Sequence, residues 1–140
     1  MSEPKTTVPP LRLMSWNMGW GGPVPTKASW DDVLSQDVDV TLLQEAPDPW
    51  GRSLMSAPAV GSHWAIGGRS RARTAIVASS ARVELAEIVK RPLASAGPRE
   101  LGVSRLGTIA AAVVKVRATG EELTLVSVYG LWEYPVPDAN

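Results

Sequence analysis

The chain has 140 residues, 44% of them hydrophobic, which is enough for one domain with a real core and excludes disorder throughout. Fourteen basic residues balance fourteen acidic ones, so overall charge supplies no pull towards nucleic acid or an anionic membrane, and any phosphate affinity must be local. With no cysteine, disulfides, thiolate metal sites and cysteine nucleophiles are excluded, and the composition fits a reducing compartment.

Residues 1–10, "MSEPKTTVPP", are polar and proline-rich, lack the apolar core of a signal peptide, and read as a flexible tail. Residues 11–17, "LRLMSWN", form a short apolar run of strand length that ends on Asn17, a residue strands disfavour. A glycine- and proline-rich loop follows. Trp30, Val33 and Leu34 then fall at i, i+3, i+4, with Ser29 and Asp32 spaced as a capping box, which predicts a short helix. Residues 38–45, "VDVTLLQE", make a second strand that closes on Glu45. Strand, helix, strand over this distance is a β-α-β unit, whose strands are normally parallel neighbours about 5 Å apart. Asn17 and Glu45 would then share the carboxyl-end edge of a sheet, where open α/β sheets bind ligands, with side chains within roughly 8 Å.

Downstream the pattern changes to hairpins. Residues 74–80 and 83–89 read as strands joined by a tight turn, residues 90–105 as a connecting loop. Residues 106–117 and 122–129 flank "ATGE", where Gly120 can take positive φ. The expected fold class is α/β (α+β), a mixed sheet with a flanking helix. No run approaches the roughly 20 apolar residues of a membrane helix, so a soluble, cytoplasmic protein with no membrane partner is expected.

"LMSWNMGW", then "DVTLLQEA", then a strand ending "LTLVSVYG" resembles the amino-terminal half of the endonuclease/exonuclease/phosphatase superfamily, the deoxyribonuclease-like metal-dependent phosphodiesterases. The resemblance spans residues 11 to about 132 and rests on order, spacing and strand context together. It implies a four-layer α-β-β-α sandwich, of which residues 11–140 would be the amino-terminal part. It also implies that Asn17 lies near the scissile phosphate, that Glu45 binds Mg²⁺ or Mn²⁺, and that Tyr129 contacts the phosphate. The later G-D-x-N and S-D-H segments of the family, which supply the water-positioning Asp and a His–Asp pair, do not occur in the sequence.

The residue types suit that chemistry. Mg²⁺ takes oxygen ligands and keeps several waters, so one carboxylate plus substrate phosphate can anchor it. A neutral amide or phenol donates to phosphate oxygens without competing for the metal. Each residue also has a plainer reading: Glu45 as a solvated strand end, Asn17 as the start of a turn, Tyr129 as an aromatic strand residue. His63 reads as a surface histidine. Arg69, Arg71 and Arg73 alternate in "GGRSRARTAIV" and suit either a solvated loop or a phosphate backbone. Trp20 and Trp50 suit packing or base stacking.

Three readings stand. The first is a Mg²⁺-dependent phosphodiester hydrolase, nuclease-like, with a phosphodiester substrate and nucleic acid among the candidates; the shortened chain is expected to be inactive alone. The second is a non-catalytic half-domain that binds, or completes its fold with, another chain. The third is an unrelated small α/β binding protein. A lone sheet would leave an apolar face carrying Ile109, Ala111 and Val113, or its reverse, exposed, and self-association is expected.

Overall fold

The computed structural model describes residues 7–19, 29–47, 59–61, 73–103 and 109–129. The described chain is mostly β-structure with one short helix, a mixed α+β arrangement. Its elements in chain order are β1 (Leu13–Asn17), α1 (Trp30–Leu34), β2 (Val40–Ala46), β3 (Ala59–Gly61), β4 (Arg73–Ala78), β5 (Val83–Glu87), β6 (Lys90–Pro92), β7 (Leu101–Val103), β8 (Ile109–Val116) and β9 (Glu122–Val128).

The strand-helix-strand reading holds. Trp30 begins the helix behind a Ser29 capping box: the Asp32 backbone N–H donates to the Ser29 hydroxyl, and the Ser29 N–H donates to the Asp32 carboxylate. The two orphan donors at the helix start are thereby satisfied, and Trp30 and Val33 are buried. β1 and β2 pair in parallel, with Leu13 opposite Val40 and Asn17 opposite Gln44. β2 pairs antiparallel with β4, and β4 with β3, which completes a mixed four-stranded sheet in the order β1-β2-β4-β3.

The expected hairpin between residues 74–80 and 83–89 is not formed. β4 pairs with β2 and β3, whereas β5 pairs antiparallel with β8 in a second sheet of order β5-β8-β9. The turn between them is tied to the start of β2. Ser79 N–H donates to the Asp39 carbonyl, and Ser80 Oγ donates to the Asp39 carboxylate. Those long-range bonds send the chain across to the second sheet instead of back along the first. The β8–β9 hairpin is as expected, and Gly120 has φ 73° in its turn, a left-handed conformation that glycine adopts without steric cost. Within the expected loop at 90–105, β6 and β7 form a small parallel pair around a 3-10 turn, Leu93–Ser95.

The two larger sheets pack face to face, and the side chains assigned to each layer follow strand alternation. Val40, Ile76 and Ala78 meet Val83, Ala110, Ala112 and Val114 between the sheets. The alanines of β8 keep this layer thin enough for the isoleucine and valine opposite, Ile76 and Val40. On the other face of the first sheet, Leu43, Ala46, Ala75 and Val77 bury Trp30, Val33 and Met18. The layers are therefore helix, sheet, sheet. This changes the expected exposure. The Ala110–Val114 face is covered by the first sheet, Ala111 is itself buried, and the exposed large apolar residues include Leu13 on β1, Leu93 in the 3-10 turn, and Leu123, Val126 and Val128 on β9. Among the described residues no helix is long and apolar enough to cross a membrane.

Candidate functional site

The carboxyl ends of β1 and β2 meet at one edge of the first sheet. Leu13, Ser15 and Asn17 alternate towards the second sheet. Asn17 is exposed and its amide is held on both sides: the Gly19 N–H donates to Oδ1 at 2.9 Å, and Nδ2 donates to Glu45 Oε1 at 3.2 Å. Because a backbone N–H can only donate, it fixes which end of the amide is oxygen. Met18 N–H donates to the Gln44 carbonyl at 2.9 Å, which continues the β1–β2 pairing past Asn17 and holds the two strand ends together.

Strict alternation along β2 would turn Glu45 to the helix side, with Leu43. Instead the pairing of β2 with β4 shifts between Leu43 and Ala46, and Glu45 has φ 48°. Leu43 and Ala46 consequently both face the helix layer, and Gln44 faces the second sheet. Glu45 is the extra residue of a bulge. Such a bulge re-aims a side chain, and here the carboxylate comes round to Asn17. A left-handed Glu is uncommon and costs of order 1–3 kcal/mol.

The third member comes from the other sheet. Tyr129 follows the end of β9, and its phenol is raised above the ordinary tyrosine range by its hydrogen bond to Glu45, by burial, and by the Glu45 charge. The phenol is thus a neutral donor at physiological pH. The structure brings together Asn17, Glu45 and Tyr129, three of the six residues expected for phosphate and metal chemistry. Arg73 begins β4 opposite Ala46, beside the bulge. Arg69, Arg71, His63, Trp20 and Trp50 lie outside the described residues.

A polar group behind these residues was not anticipated. Gln44 Nε2 donates to Ser127 Oγ at 3.0 Å and to Ser15 Oγ at 3.3 Å, and Ser127 Oγ donates to the Leu43 carbonyl at 2.8 Å. The available signal was alternation: Ser127 occupies the same face of "LTLVSVY" as Leu123 and Leu125, a polar residue where the face should be apolar.

The arrangement can hold one hard cation loosely through Glu45, while Asn17 and Tyr129 offer hydrogen-bond donors beside it. Among the described residues no group of three or more His, Cys, Asp and Glu gathers for a metal ion. No family model matches the chain, and neither a curated protein nor a solved structure matches it.

Proposed function

We propose that this chain carries phosphate-ester chemistry of the endonuclease/exonuclease/phosphatase type, as a nuclease-like Mg²⁺- or Mn²⁺-dependent phosphodiester hydrolase. The observation that carries the reading is the convergence of Asn17, Glu45 and Tyr129, from two sheets, on a Glu forced into a left-handed conformation. Two packed sheets with a helix outside the first are compatible with the α-β-β-α sandwich this reading calls for.

The residues fit a Mg²⁺ ion held by one carboxylate and otherwise by water and substrate. Bound at Glu45, the ion would supply Lewis-acid stabilisation of charge on the phosphoryl oxygens. Asn17 holds Glu45 Oε1 and so sets the direction of the other carboxylate oxygen. Once substrate enters, the Asn17 amide and the Tyr129 hydroxyl are donors for its phosphate oxygens, a positioning role that dominates phosphoryl-transfer catalysis. No residue described at this edge is assigned to orient the attacking water, so turnover by these 140 residues alone is expected to be slight.

The second reading, a non-catalytic half-domain that binds or completes its fold with another chain, is favoured by the exposed apolar residues Leu13, Val126 and Val128 on β1 and β9, each an outer strand of its sheet among the described residues. The test is turnover of plasmid DNA, RNA and bis-nitrophenyl phosphate with Mg²⁺ and with chelator. The hydrolase reading expects slow, chelator-sensitive turnover that Glu45→Gln removes. Turnover that survives Glu45→Gln would sink the metal assignment, and no turnover together with no divalent-cation binding at Glu45 would leave the half-domain as the better account.

A further inference from the structure

The two sheets meet mainly through apolar side chains such as Val40, Ile76, Ala110 and Ala112. Apolar contact is non-directional and by itself does little to fix how one sheet is seated along the other. Tyr129 needs such a constraint. The β8–β9 pairing ends at Ile109 opposite Val128, so Tyr129 lies just past the last rung, on the outer strand of its sheet, yet it must reach a carboxylate on the other sheet.

We propose that Gln44 and Ser127 form a positioning bridge that seats β9 against β2 and thereby delivers Tyr129 to Glu45. Gln44 is the residue before Glu45, and Ser127 lies two before Tyr129, so the bridge is adjacent in both strands to the contact it serves. Its hydrogen bonding is directional. Ser127 is 1% exposed and has one hydroxyl proton, which goes to the Leu43 carbonyl. The group facing its oxygen must therefore be the donor end of the Gln44 amide, which also lies 3.3 Å from Ser15 Oγ on β1 and 3.5 Å from the Leu42 carbonyl. Three strands from two sheets are locked at one point. A buried polar network of this kind, when satisfied, specifies a unique arrangement where apolar packing alone tolerates several. Gln44 and Ser127 are positioning residues, since neither is required to touch substrate or metal.

The inference rests on reading Glu45 and Tyr129 as members of one site, but it does not need that site to be catalytic. The chain has two tyrosines, Tyr129 and Tyr134. Uniform fluorotyrosine labelling therefore yields two fluorine resonances, which Tyr129→Phe assigns. In the otherwise unaltered chain, Glu45→Gln should move the Tyr129 resonance. In Ser127→Ala and Gln44→Leu, checked for folding by circular dichroism, that resonance should already be displaced and should no longer respond to Glu45→Gln. Ser127→Thr, which keeps the hydroxyl, should restore the response. A role confined to stability would lower the melting temperature of the alanine variant and leave the resonance and its response unchanged, which would overturn the bridge. A Tyr129 resonance indifferent to Glu45→Gln in the unaltered chain would overturn it too, because there would be no contact to position. The readout uses neither metal nor turnover, so a chain that binds no Mn²⁺ but shows the predicted responses would lose the hydrolase reading and keep the bridge.

Discussion

Glu45 concentrates the local conflict in this chain. Its run, "VTLLQEA", belongs to a short apolar stretch of strand length, and that makes the strand legible. Nothing in those seven residues announces that Glu45 has φ 48°, because a bulge depends on the register of β4 across the sheet and not on local preference. The carboxylate could be nominated from sequence, therefore, and its strained setting could not. The strain has a measurable signature. In an ordinary strand, Ala is more stable than Gly by roughly 0.5–1 kcal/mol. At position 45 both substitutions remove the carboxylate, but only Ala retains a Cβ in the left-handed region. Glu45→Gly should accordingly be the more stable of the two by about 1 kcal/mol in denaturant melts. Equal stability, or the ordinary order with Ala ahead, would mean that the bulge is not strained.

The elements that were legible have their partners nearby in sequence. Ser29 and Asp32 cap α1 within one turn, and Gly120 closes the β8–β9 hairpin. The β4–β5 connection is not legible locally, because two strand-length runs beside a turn suit a hairpin or a crossover equally, and the deciding partner, Asp39, lies about 40 residues earlier. Asp39 is 1% exposed and accepts from the Arg12 backbone N–H, Ser80 Oγ and Arg82 Nη1 at 2.9, 2.7 and 2.9 Å. Arg82 in turn donates to the Pro9 and Pro10 carbonyls. One carboxylate thus ties β1, β2, the β4–β5 turn and the segment before β1. Burial pushes the Asp39 carboxyl up, but the Arg12 N–H, the Ser80 hydroxyl and the positive charges of Arg82 and Arg12 outweigh it, and the group titrates below the ordinary aspartate range. A depressed folded-state pKa contributes stability that is present above the unfolded value, about 3.9, and is lost as pH falls through the folded value. Asp39→Ala should cost on the order of 3 kcal/mol at pH 7, since it leaves the donors around a buried carboxylate unmatched. The gap between the original chain and Asp39→Asn should narrow below about pH 4. A gap constant from pH 7 to pH 3 would show that the carboxylate charge contributes nothing there.

At the scale of the whole molecule, strand periodicity identified most of the described strands but not their division between two sheets, since period-2 patterns specify which face is buried and not which neighbour is paired. The second sheet turns out to bury the Ala110, Ala112 and Val114 face. The apolar surface that remains includes Leu13, 47% exposed, and Val126 and Val128, 46% and 57% exposed. Outer strands bearing such residues invite pairing with another chain. The protein should therefore self-associate in sedimentation at micromolar concentration, and lysine at positions 126 and 128 together should reduce that association without changing the fold. A monodisperse original chain would show that this surface is tolerated. The packing of two sheets also explains why a site assembled from Asn17, Glu45 and Tyr129 was only partly visible beforehand: the first two share a β-α-β unit, whereas the third arrives through contacts between sheets.

We propose Glu45, steadied by Asn17 and Tyr129, as the anchor for a divalent cation. Electron paramagnetic resonance of Mn²⁺, titrated into the chain and into Glu45→Gln, tests it most directly, because free and bound ion are counted without any assumption about substrate. Weak binding of a single Mn²⁺ by the original chain is expected, displaced by Mg²⁺, weakened by Asn17→Ala, and lost in Glu45→Gln while the melting profile stays cooperative. Equal Mn²⁺ binding by the original chain and a folded Glu45→Gln, or no binding by either, would contradict it.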